Sequence, residues 1–309
     1  MPKELTQRIV ENWVSMATGA FQLADIAREL NIQTESGRST LRTIMGRIVA
    51  AGLAERVGNK DGVFRPIDKS VTEIDLTNVN LDTKIPLKLP FGIHEYVEFY
   101  PGNTILVAGE SNAGKTSFLY NVAVMNCEAL SVDFYTNNEA SPQEIVKRLK
   151  PFGVPIPPPF HIYERYDNYA DVLIPGNITI IDYLDMNSEV YLAGEEIEKI
   201  HRKLNGGIAV IGMQLPAPSE VFIRGVKTLQ HRTLAYGGAF TMKKPILYLD
   251  LWKDGAANTG ICTIEKAKNR AKPTVDPNHM KWKYVIDEYG AKFISVERYY
   301  GESSNQGGF

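Results

Sequence analysis

Two glycines with four residues between them, followed at once by a lysine and a hydroxyl residue, make up Gly109-Glu110-Ser111-Asn112-Ala113-Gly114-Lys115-Thr116. This is the G-x-x-x-x-G-K-[ST] spacing of a phosphate-binding P-loop. Backbone N–H groups of such a loop and of the helix after it surround phosphate oxygens. The Lys115 ammonium would reach the β/γ-phosphates, and the Thr116 hydroxyl would sit on Mg²⁺. The nucleotide-binding set predicted here is Gly109, Glu110, Ser111, Asn112, Ala113, Gly114, Lys115, Thr116 and Ser117, with ATP and Mg²⁺ as cofactors.

Further along, Asn177-Ile178-Thr179-Ile180-Ile181-Asp182 is an apolar run ending in a carboxylate. A hard cation such as Mg²⁺ is held through one or two carboxylates together with phosphates and waters. Asp182 joins Thr116 as a predicted metal residue; the plainer alternative is an Asp that starts a turn. Hydrolysis also needs a polarised water, and a carboxylate beside the loop suits that role. Glu139 is the choice, in Asp133-Phe134-Tyr135-Thr136-Asn137-Asn138-Glu139-Ala140-Ser141-Pro142. Glu110 inside the loop is the rival. The other reading of Glu139 is a helix N-terminal acid that complements the helix dipole.

These residues need strands to end beside them and helices to start there. Residues 104–108 are apolar and partly β-branched and read as a buried strand. Residues 117–128 read as a helix, with Phe118, Val122 and Met125 at helical spacing. Strands are expected at 129–135, 177–181, 208–213, 245–251 and 260–268, helices at 141–149 and 194–204, and a terminal hairpin at 282–296. Alternation of this kind predicts an α/β sheet with ligand at the strand C-termini.

The order of motifs resembles the RecA-like P-loop core of hexameric replicative helicases of the DnaB type. The segment around Glu139 resembles the one bearing their catalytic Glu. Ile181-Asp182-Tyr183-Leu184-Asp185 resembles their Asp-Tyr-Leu-Gln stretch, with Asp185 replacing the Gln. The strand ending Gly212-Met213-Gln214 resembles the one whose terminal Gln senses the γ-phosphate. Glu265-Lys266-Ala267-Lys268-Asn269-Arg270 resembles their late Lys-x-Arg motif, which reaches a neighbouring subunit's ATP site. The resemblance implies that Glu139, Lys115, Gln214, Lys268 and Arg270 are catalytic. It spans residues 100–275. The helical N-terminal domain and linker helix of that family are missing. Lys268 and Arg270 are expected to alternate on one strand face, or else to form a solvated strand edge.

Residues 1–67 differ from the rest. Residues 21–30 and 36–51 read as two amphipathic helices, the second with Leu41, Ile44, Ile48 and Val49 on its apolar face. A hairpin with a glycine-bounded tip follows over 52–66. Helix, helix and hairpin resemble a winged helix-turn-helix domain, whose second helix enters the DNA major groove. Arg38 and Arg42 would contact DNA there; a solvated helix face is the alternative. Residues 68–87 read as a linker, 88–300 as the ATPase domain and 301–309 as a disordered tail. The stretch holding Arg224, Lys227 and Arg232 is expected to be a loop facing a central pore and tracking single-stranded nucleic acid, or a solvated loop.

Among 309 residues, 44% hydrophobic and 23% charged, no apolar run reaches the ~20 needed to cross a bilayer. The net charge of −2 neither signals nor excludes nucleic-acid binding, since a local basic face is what matters. Cys127 and Cys262 are expected to be reduced thiols in a cytoplasmic protein. The sequence thus predicts an ATP-driven DNA motor assembling as a hexameric ring or a filament. The alternatives are a RecA-fold ATPase that does not unwind, or a nucleotide-switched DNA-binding regulator.

Overall fold

The computed structural model describes residues 5–17, 19–58, 62–67, 80, 82–137, 141–184, 192–216, 219–223, 226–230 and 232–300, with only the backbone of 192, 219–223 and 226–230. The chain divides into two units, at Val79 and Asn80. The expected tail at 301–309 and most of the expected linker lie outside the described residues.

In the first unit, α1 (Gln7–Met16), α2 (Leu23–Glu29) and α3 (Glu35–Ala50) pack beside a three-stranded antiparallel sheet of β1 (Phe21–Gln22), β2 (Ala54–Arg56) and β3 (Val63–Pro66). The helix expected to start at residue 21 starts two residues later. Phe21 pairs with Phe64 as a strand residue, and Gln22 forms a capping box with Asp25. Thr34 caps α3 by accepting from Gly37 N–H at 3.1 Å. Leu41, Ile44, Met45 and Ile48 are buried with Val10, Trp13, Phe21 and Phe64, whereas Val49 is half-buried. Each fully buried large apolar side chain contributes about 1.5–3 kcal/mol. That core is what a unit this small has to stand on.

The second unit is built on a nine-stranded sheet. Its elements in chain order are β4 (Thr104–Gly109), α4 (Lys115–Asn126), β5 (Val132–Thr136), α5 (Pro142–Leu149), β6 (His161–Glu164), β7 (Ile178–Asp182), α6 (Leu192–Lys203) and β8 (Ile208–Gln214). A two-stranded ribbon, β9 (Ser219–Ile223) with β10 (Val226–Gln230), precedes β11 (Leu247–Lys253), β12 (Thr259–Ala267), β13 (Lys281–Ile286) and β14 (Phe293–Tyr299). The sheet order is β14-β13-β12-β11-β4-β8-β7-β5-β6. From β11 to β6 neighbours are parallel; from β11 to β14 they are antiparallel. This is an α/β architecture with the glycine loop at the end of a central parallel strand, as the motif order predicts.

Both faces of the parallel strands are covered, so the strands read as continuous apolar runs rather than alternating ones. Ile105, Val107, Phe134 and Val210 pack with Phe118, Leu119 and Val122 of α4 on one face. Leu106, Ala108, Ile181 and Ile211 pack with Ile197 and Ile200 of α6 on the other. Met125, expected on the apolar face of α4, is exposed. The edge strand β6 was not expected; its four residues, His161-Ile162-Tyr163-Glu164, are too short and too exposed to leave a period-2 signal. Leu87 and Leu89 are buried in the core of this unit. No described helix is long and apolar enough to cross a membrane.

Candidate nucleotide site

β4 ends at Gly109 and α4 begins at Lys115, so the loop between them lies at the C-terminal end of the central strands. Two of its glycines answer steric demands. A Cβ on Gly109 would lie 2.8 Å from Lys115 Cγ. Gly114 has φ 92°, and a Cβ there would lie 2.5 Å from Ile286 Cδ1.

Lys115 is only 8% exposed. Its Nζ donates to Gly109 O at 3.0 Å, Glu110 O at 2.9 Å and Gln214 Oε1 at 2.8 Å. Burial pushes this amine down to about 8, against the opposing charges of Asp182 and Glu110. Gln214 ends β8, whose register sets it opposite Gly109. The parallel sheet therefore brings together two residues 99 positions apart in sequence.

Thr116 Oγ1 donates to Asp182 Oδ1 at 3.2 Å. Asp182 is 2% exposed at the end of β7. Burial raises its carboxyl to about 6, while the Thr116 hydrogen bond and the Lys115 charge pull the other way. A buried carboxylate beside a threonine hydroxyl and a lysine suits a divalent cation bound with phosphate. The glycine loop, the amine and this pair fit the predicted nucleotide and Mg²⁺.

Glu139 and Asp185 lie outside the described residues. Asn137, the last described residue before Glu139, is tied to the end of β7: its N–H donates to Asp182 O, and its Oδ1 accepts from Tyr183 N–H, both at 3.1 Å. Glu110 Oε2 accepts from Lys253 N–H at 3.4 Å. Ser117, placed in the nucleotide set, donates its hydroxyl to Gly290 O at 2.9 Å. Arg148 Nη1 reaches the same carbonyl at 2.7 Å, and Asn121 Nδ2 donates to Ala291 O at 2.9 Å. The turn between β13 and β14 is thereby fastened to the first turns of α4. Spacing alone gave no signal for Asn137, Arg148 or this turn, because each contact joins distant parts of the chain. Asp250 on β11 was also missed. It is buried with Oδ1 unpartnered and is raised to about 8 by burial and by the charges of Glu265 and Glu110.

Two expectations need correction. Lys268 and Arg270 do not alternate on a strand, because β12 stops at Ala267. Ala267 N–H donates to the Asn278 side chain, Lys268 N–H turns to Ile246 O, and Asn269 adopts φ 46°. Both basic side chains are exposed, and Arg270 pairs with Asp276 at 2.9 Å. The stretch expected as a pore loop is largely the strand β10, paired with β9. Lys227 lies on β10, Arg232 is exposed just past it, and Arg224 is outside the described residues.

In the first unit, Arg38 and Arg42 are exposed on α3, and Arg42 lies 3.6 Å from Glu35. They line a groove of about 550 Å³ together with Leu23, Ala27 and Arg28 of α2 and Leu41 of α3.

No protein-family model matches the sequence, and no curated protein matches it. Among solved structures, the RadB recombinase is similar at 14% identity and a TM-score of 0.46, over 64% of this chain and 93% of that one. A KaiC-like protein from the hyperthermophilic archaeon Pyrococcus horikoshii is similar at 15% identity and a TM-score of 0.47, over 70% of this chain and 98% of that one. Likeness this distant assigns no activity.

Proposed function

We propose that this chain is a Mg²⁺-dependent RecA-fold ATPase that moves on nucleic acid, acting as a hexameric replicative-type DNA helicase. The observation that carries the ATPase reading is the meeting of Lys115 with Gln214 and of Thr116 with Asp182 at the C-terminal ends of adjacent strands.

In this reading the β/γ-phosphate oxygens replace the three acceptors that Lys115 now holds. Thr116 and Asp182 would hold Mg²⁺, which when bound would supply charge neutralisation on the phosphates. Gln214 exchanges its bond to Lys115 for the γ-phosphate, and so reports to the β9–β10 ribbon that follows β8 whether that phosphate is present. Glu139 polarises the attacking water. Lys268 and Arg270 are exposed, and among the described residues neither bonds to Lys115; in this reading they are supplied to a neighbour's site. A head-to-tail contact of that kind generates rings or filaments. Arg224, Lys227 and Arg232 follow single-stranded DNA. The first unit acts as a winged helix, with Arg38 and Arg42 on duplex phosphates.

The test is steady-state ATP hydrolysis with and without single-stranded DNA, followed by unwinding of a forked duplex. Stimulated hydrolysis with unwinding supports the helicase. Stimulation without unwinding supports a recombinase-like or remodelling ATPase. Nucleotide-dependent duplex binding without turnover supports a regulator.

A further inference from the structure

We infer that Tyr284 is a positioning residue for nucleotide phosphates, acting through the Ala113–Gly114 peptide of the P-loop. The inference rests on the ATP reading of the site. Tyr284 lies on β13, three strands away from β4, and is buried. Its hydroxyl donates to Ala113 O. A trans peptide unit is planar, with C=O and N–H pointing in opposite directions. Holding Ala113 O against β13 therefore turns the Gly114 N–H away from β13. Among the described residues that N–H has no acceptor, as is usual for donors at the start of a helix. A P-loop uses such N–H groups to hold phosphate oxygens.

Three features fix the aim of the hydroxyl. The Phe91 ring stacks on Tyr284 at 5.4 Å and 12°, and Phe293 packs edge-on at 5.1 Å. Gly260, the cross-strand partner of Tyr284 on β12, leaves the space the ring uses: a Cβ there would lie 2.4 Å from the hydroxyl. Ile286, two residues along β13, occupies the space where a Gly114 Cβ would be. A rigid aromatic packed under a glycine loop, its one polar atom bonded to that loop, fits a prop for the loop's backbone better than a plain core residue.

The test measures Mg·ATP affinity by titration for wild type, Tyr284→Phe, Gly260→Ala and Ile264→Val. Inorganic triphosphate competes in a parallel series. Tyr284→Phe keeps the ring and removes one hydrogen bond to the loop, so affinity should fall about five- to tenfold, and equally for ATP and triphosphate. Gly260→Ala displaces the hydroxyl without deleting it and should lower affinity in the same way, which covers the case in which Tyr284→Phe does not fold. Ile264→Val trims the buried core on the neighbouring strand and should bind as wild type does, even where its melting temperature drops as far. Affinity of Tyr284→Phe within twofold of wild type would overturn the inference, as would an equal loss in Ile264→Val. If wild type itself bound neither ATP nor triphosphate, the ATP reading would fall and take the inference with it.

Discussion

Asp182→Asn should make the ligand-free protein more stable near neutral pH while abolishing Mg²⁺-dependent nucleotide binding. The carboxyl is raised from its ordinary 3.8 to about 6, and burial is the leading cause. One pKa unit corresponds to about 1.36 kcal/mol, so holding this group ionised at pH 7 costs about 3 kcal/mol, and about half that once the structure relaxes. Asn keeps the shape and can still accept from Thr116. A gain of about 1.5–3 kcal/mol in a unit of this size raises the melting temperature by about 3–12 °C. The sign of the pH dependence follows from the raised folded value. Between about pH 4 and 6 the folded wild type binds more protons than the unfolded chain, so its stability increases as pH falls through that window. The advantage of Asp182→Asn should shrink from pH 7 to pH 5 and vanish near pH 4. Differential scanning calorimetry across that range, without nucleotide or Mg²⁺, provides the measurement. A variant less stable than wild type at pH 7, or a difference independent of pH, would refute the reasoning.

Mg·ATP affinity should rise with pH through about 6, as Asp182 ionises, and fall above about 8, as Lys115 loses its proton; titration calorimetry at fixed ionic strength reads both limbs. Glu139→Gln should bind nucleotide normally and hydrolyse it about 10²–10⁴-fold more slowly in single-turnover assays. If its rate stays near that of wild type, Glu110 and Asp185 are the next candidates. Arg270→Ala should bind ATP yet turn it over poorly, and mixing it with Lys115→Ala protein should restore part of the activity, since mixed interfaces then contain one intact pair. Absence of rescue at every ratio, with subunit exchange shown to occur, would remove Arg270 from the neighbour's site. Replacing Arg38 and Arg42 with Ala should lower duplex binding and reduce its salt slope by about two, and an unchanged slope would leave α3 as a protein-contact helix.

The parts of the fold carried by local pattern were legible in the sequence. The glycine loop between an apolar run and a helix located β4 and α4, and the apolar runs ending at Asp182 and Gln214 located β7 and β8. The β13–β14 hairpin was legible as well, since 282–296 carries two strand runs about a polar turn. Legibility ended where tertiary contacts decide. Nothing local says that β12 stops at Ala267, because the stop depends on the Asn278 side chain and on Ile246 O. The β9–β10 ribbon did have a sequence signal, the apolar run Val221-Phe222-Ile223 followed after two residues by Val226, but the cations at 224, 227 and 232 favour a loop reading of the same stretch. Phe21 opens an apolar-periodic run, yet its pairing with Phe64 makes it a strand residue. The Ser117 hydroxyl is tied to a turn 173 residues away, a contact the loop motif does not signal. The same long reach explains why Tyr284 and Asp250 carried no sequence signal.

The measurement that bears most directly on the central claim is calorimetric titration of ATP into the wild-type protein and Lys115→Ala, each with and without Mg²⁺. The account predicts saturable, Mg²⁺-dependent binding by wild type and loss of that binding in Lys115→Ala, with the variant still folded by circular dichroism. Binding unchanged in folded Lys115→Ala, or no binding by wild type with Mg²⁺ present, would contradict it.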